Sequence, residues 1–83
     1  MKKTVEQSNW IRIGEKYAVV CHVYNSEKTH IEVVYLDEAN RAINEDAYLR
    51  NNEWNFVSYF PCGGYADKYP RLYEFVAKLR RGR

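Results

Sequence analysis

Residues 17–24 read YAVVCHVY, a β-branched and aromatic run that is apolar on both parities apart from His22. Alternate residues of a strand point to opposite faces, so such a run suits a central strand. Residues 29–36, THIEVVYL, alternate more clearly. Ile31, Val33 and Tyr35 face one way, and His30 and Glu32 face the other. Aligning the apolar faces predicts an antiparallel hairpin with Val23 opposite Ile31, Cys21 opposite Val33 and Val19 opposite Tyr35. The other side then pairs Tyr24 with His30, His22 with Glu32, and Val20 with Val34. Sliding by one residue would set Cys21 against the charge of Glu32.

A second hairpin turns at Asn51-Asn52, because asparagine tolerates the positive φ angles of a type I′ turn. Counting outward pairs Arg50 with Glu53, Leu49 with Trp54, Tyr48 with Asn55 and Ala47 with Phe56. Between the hairpins, residues 38–46 (EANRAINED) allow either a short helix or a turn followed by a strand near 41–44. A helix there would lack a strong apolar face, so the strand is expected. Near the start, residues 10–13 (WIRI) form a short extended run closed by a turn at Gly14-Glu15-Lys16.

The last segment carries a helical stripe. Leu72, Phe75, Val76 and Leu79 follow the spacing i, i+3, i+4, i+7. Pro70 suits the first turn, with Asp67 or Tyr69 near the cap. Arg71 and Glu74, and Glu74 and Lys78, are spaced for ion pairs on the solvent side. The expected fold is therefore α+β: an antiparallel meander of four to five strands, able to curl towards an SH3-like partial barrel, with the C-terminal helix on its apolar face.

Eighty-three residues are expected to make one domain spanning 1–83, with residues 1–8 a disordered tail and 80–83 a basic end. Hydrophobic residues at 46% and charged residues at 29% argue against wholesale disorder. The formal charge is +2, but Lys78, Arg80, Arg81 and Arg83 crowd the last six residues, leaving residues 1–77 at −2. Residues 37–46 hold Asp37, Glu38, Glu45 and Asp46 against Arg41 alone. Polar residues from Glu6 to Asn9 stand where a signal peptide needs an apolar run, and no apolar stretch approaches a membrane span. Two cysteines are too few for a disulfide framework, which points to the cytoplasm and to thiols: Cys21 in the core, Cys62 in a loop.

Functional candidates are few. His22, His30 and Glu32 could converge on a metal, but no CxxC or HxxxH spacing supports it, and wet histidines with His22 beside Glu32 are expected instead. No metal or cofactor is assigned. Residues 61–65, PCGGY, precede a helix and Lys68 and Arg71, as anion-binding loops do. The Walker and dinucleotide spacings are missing, however, and a flexible strand-to-helix connection explains the glycines. No base adjacent in sequence would activate Cys62, and Glu32 comes closest to an apolar setting that raises a carboxylate pKa. No catalytic fingerprint occurs, so an enzyme is not expected.

The aromatic residues around that loop remain. Tyr59, Phe60, Gly63, Gly64, Tyr65, Lys68, Tyr69 and Arg71 are the expected binding residues. An aromatic cluster beside glycines and basic residues can form a protein-binding hot spot or stack on nucleic-acid bases. The plain alternative is tyrosines that seal the edge of the core. The leading expectation is a non-catalytic binding module for another protein, monomeric or dimeric through an edge strand such as residues 10–13. The alternative is nucleic-acid binding through the basic C-terminal end.

Overall fold

The computed structural model describes residues 5–57 and 64–83. Five antiparallel strands run in chain order across one sheet: β1 (Trp10–Ile13), β2 (Lys16–Val23), β3 (His30–Leu36), β4 (Ala42–Arg50) and β5 (Glu53–Phe56). The sheet curls into a half-barrel that brings β1 near β5. Short 3₁₀ turns at Ala66–Lys68 and Pro70–Leu72 lead into helix α1 (Tyr73–Arg81). This is the small α+β, SH3-like arrangement expected. No helix among the described residues is long and apolar enough to cross a membrane.

The Asn51-Asn52 hairpin forms in the expected register, from Arg50 opposite Glu53 to Ala47 opposite Phe56. Both turn residues are left-handed, at φ 52° and 62°, which asparagine tolerates better than most residues. Residues 38–41 form a turn rather than a helix, and β4 then runs unbroken from Ala42 into that hairpin.

The β2–β3 register agrees only in part. Val23 lies opposite Ile31 and His22 opposite Glu32. A bulge between Val20 and His22 then shifts the ladder, so Val20 faces Val33, Val19 faces Val34 and Ala18 faces Tyr35. The expected pairs of Cys21 with Val33, Val19 with Tyr35 and Val20 with Val34 do not form. The extra residue at a bulge moves one half of a strand to the opposite parity. A run apolar on both parities tolerates that switch.

Both faces of the sheet consequently carry a core. The enclosed face gathers Ile13, Ala18, Val20, Ile31, Val33, Tyr35, Ile43, Ala47 and Trp54, with contributions from every strand. Val5 joins this core at 4% exposure. Ser8 also donates its backbone N–H to the Val20 carbonyl at 2.7 Å. The outer face gathers Val19, Cys21, Val34 and Ala42 beneath Ala66, Leu72, Phe75, Val76 and Leu79. The helical stripe is buried as expected, with each large side chain contributing about 1.5–3 kcal/mol. It covers the face opposite Ile31, Val33 and Tyr35, not the one they occupy.

Two details of the helix entry also differ. Pro70 opens a 3₁₀ turn ahead of α1, and neither Asp67 nor Tyr69 caps through its side chain. Arg71 and Lys78 do not serve Glu74 on the helix surface. Arg71 reaches Glu32 on β3, and Lys78 donates to the Ser8 carbonyl.

Candidate functional site

Residues 64–72 are fastened to the outer sheet face where β4 begins. Tyr65 bridges Ile43, and the Asn44 N–H donates to the Gly64 carbonyl at 3.1 Å. Fully buried Ala66 and Leu72 pin both ends of the 3₁₀ pair. A side chain on Gly64 would stand 3.2 Å from the Tyr69 hydroxyl, so the chain passes closer to Tyr69 than most residues allow. Between these anchors Tyr65 is 41% and Tyr69 43% exposed, and Tyr73 continues the row at 54%.

Cations accompany the rings. Arg41 lies 5.1 Å and Lys68 5.5 Å from the Tyr65 centroid, and Arg71 lies 5.9 Å from that of Tyr69. The Arg41 Nη1 donates to the Tyr65 hydroxyl at 2.9 Å. Arg41 is aimed by its own turn: the two carboxylate oxygens of Asp37 accept from the backbone N–H groups of Ala39 and Arg41 and from the Arg41 Nε. These bonds, led by the Arg41 backbone N–H, hold the Asp37 carboxyl below its ordinary pKa.

Behind the tyrosines lies the bidentate pair of Arg71 and Glu32, at 2.7 and 2.9 Å. The Asn44 Nδ2 donates to Glu32 at 3.4 Å, while its buried Oδ1 has no partner among the described residues. The Arg71 bonds hold Glu32 below the usual carboxylate range, against the opposing effect of burial. The carboxylate that the sequence placed nearest to a raised pKa is thus shifted the other way. Its cause is an arginine 39 positions along the chain.

The remaining candidates separate from this surface. His22 and His30 are exposed, with the Tyr24 ring 4.8 Å from one and 4.7 Å from the other. The ion partner of Glu32 is Arg71, not His22; His30 stands 3.7 Å from Asp46. Tyr24 donates to Asp46 at 3.1 Å, and burial, the Glu32 charge and that bond push its pKa up to about 12. Among the described residues no group of three or more His, Cys, Asp or Glu side chains is arranged to hold a metal. Burial likewise pushes the Cys21 thiol up to about 12. A cleft of about 570 Å³ lies elsewhere, lined by residues that include Ile13, Lys16, Trp54 and Phe56.

Gly64, Tyr65, Lys68, Tyr69 and Arg71 therefore come together, although Arg71 is turned towards Glu32. Tyr59, Phe60, Cys62 and Gly63 lie outside the described residues. Sequence reasoning missed Arg41, which entered only as the lone base in an acidic stretch. Its signal was the spacing of Asp37 and Arg41 around a tight turn, but nothing local pointed that turn at Tyr65. Compared with known families, curated proteins and solved structures, the chain matches none.

Proposed function

We propose that the chain is a non-catalytic protein-binding module whose contact surface centres on Tyr65, Lys68 and Tyr69, with Gly64, Arg41 and Arg71 at its edge. Tyr59, Phe60 and Gly63, outside the described residues, belong to the proposal on the sequence alone. The carrying observation is that Tyr65 and Tyr69 are more than two-fifths exposed while Ala66 and Leu72 beside them are fully buried. Rings presented from an anchored backbone lose little conformational entropy on binding, and tyrosine with arginine supplies the contacts that dominate interfaces. The cysteine usage and unremarkable charge support a cytoplasmic setting, and β1 offers an edge for self-association.

The nucleic-acid reading receives less support. Three cations of the basic end are engaged within the chain: Lys78 with the Ser8 carbonyl, Arg80 with Asp67, and Arg83 over the Tyr17 ring at 3.6 Å. The test is a Tyr65→Ala/Tyr69→Ala variant, first shown to unfold at the wild-type midpoint. Loss of a stoichiometric protein partner that co-purifies with wild type is expected. An unchanged set of partners overturns the proposal.

A further inference from the structure

We infer that Arg41, Tyr65 and Lys68 form a receptor for a carboxylate, so that the segment recognised by this surface is an acidic peptide. The inference rests on the protein-binding reading and names the chemistry of its partner. Three donor groups stand around the Tyr65 ring without an acceptor among the described residues. The Arg41 Nε is taken by Asp37 and its Nη1 by Tyr65, which leaves Nη2. The Tyr65 hydroxyl accepts that Nη1 bond, so its own hydrogen points elsewhere, and a hydroxyl carries one donor besides its acceptor sites. Lys68 has no ion pair among the described residues, and its ammonium stands 5.5 Å from the same ring.

The Arg41 Nη2, the Tyr65 hydroxyl hydrogen and the Lys68 ammonium are the donors left over around this exposed ring, and an oxyanion between them satisfies all three. Charge-assisted bonds of this kind are the strong ones, and arginine supplies a planar fork that matches a carboxylate. The surroundings decide the class of anion. Asp37 and Glu38 share the turn with Arg41, and Asp67 adjoins Lys68. A continuous phosphodiester backbone would meet those acids, whereas separate carboxylates on a peptide can sit between them. Asp37 keeps Arg41 in place, so the receptor is formed before the ligand arrives.

The test uses the full chain, isotopically labelled, titrated with hexaglutamate or with hexathymidylate at about 50 mM salt, where surface charges are only partly screened. Hexaglutamate should shift the amides of Arg41, Tyr65 and Lys68 and saturate. Arg41→Gln/Lys68→Gln should weaken it by about tenfold, and Tyr65→Phe, which keeps the ring and loses the hydroxyl, by about threefold. Arg81→Gln, at the exposed helix end, should leave the affinity within about twofold. Shifts centred on residues 80–83, or a double variant that binds like wild type, overturn the inference. Equal or tighter binding of hexathymidylate overturns the choice of carboxylate. If hexaglutamate fails while co-purification still depends on Tyr65 and Tyr69, the inference falls and the protein-binding reading stands. The reverse result removes the reading and leaves an anion site.

Discussion

The Arg71 guanidinium grips both oxygens of Glu32 across 39 positions of chain, tying the entry to the helix onto the middle strand of the sheet. The Glu32 side chain is 6% exposed and that of Arg71 60%. The two ends of the bond are therefore unequal: the acid is desolvated and the base is largely wet. Removing one partner of a buried pair leaves the other charge uncompensated, which costs more than the pair contributes.

Arg71→Ala should accordingly destabilise the fold by about 2 kcal/mol, allowing for the solvent on the arginine side. Glu32→Gln, which removes the charge and keeps the shape, should cost less. Urea midpoints of the two variants check this. Equal losses would mean that burial of the lone carboxylate is not the dominant effect.

The same pair sets an acid limb. Glu32 has a folded-state pKa below its ordinary value of 4.5 because of the Arg71 bonds. As pH falls, the unfolded chain takes up that proton first, so the stabilisation is present above 4.5 and lost on acidification through the folded value. Asp37 acts in the same direction. Urea midpoints followed from about pH 7 down to about pH 3 should fall for wild type and fall less steeply for Glu32→Gln. Parallel curves would remove Glu32 from the account.

At the second hairpin, Asn52 holds φ 62°. Glycine carries no Cβ penalty there, so Asn52→Gly should stabilise by about 0.5–1 kcal/mol, and Asn52→Val should destabilise by about 1–2 kcal/mol. Denaturation midpoints decide. A glycine variant weaker than wild type would show that the asparagine side chain contributes more than its backbone conformation costs.

Cys21 is buried, and burial lifts its pKa from 9.0 to about 12. In a Cys62→Ser background at about pH 8, iodoacetamide should label the folded chain at least a hundredfold more slowly than the unfolded one, because the thiolate is the nucleophile. The shift also makes thiol ionisation oppose folding. Its stabilising effect is complete below 9.0 and declines as pH rises towards 12. Folded-state labelling at the unfolded rate would contradict this placement of Cys21.

Much of this fold is written in neighbouring residues. The Asn51-Asn52 turn and its four pairs, the strand that follows the Asp37 turn, and the helical spacing of Leu72, Phe75, Val76 and Leu79 can all be read from residues within a few positions of one another. Period and turn chemistry specify such features directly. The exposed rings of Tyr65 and Tyr69 were legible as candidates for the same reason: they stand in a loop beside glycines and bases.

What pattern left open was every choice between two faces and every partner far along the chain. Residues 17–24 are apolar on both parities, so local chemistry could not say where the ladder would slip. The bulge near Cys21 is settled by how two cores fill at once, with Val20 turned inward and Val19 beneath the helix. Arg41 meets Tyr65, and Arg71 meets Glu32, only because the curled sheet and the docked helix bring them within reach. Charges separated by tens of residues have no preferred partner until closure of the chain places them, and the burial of Glu32 then makes that partnership costly to break.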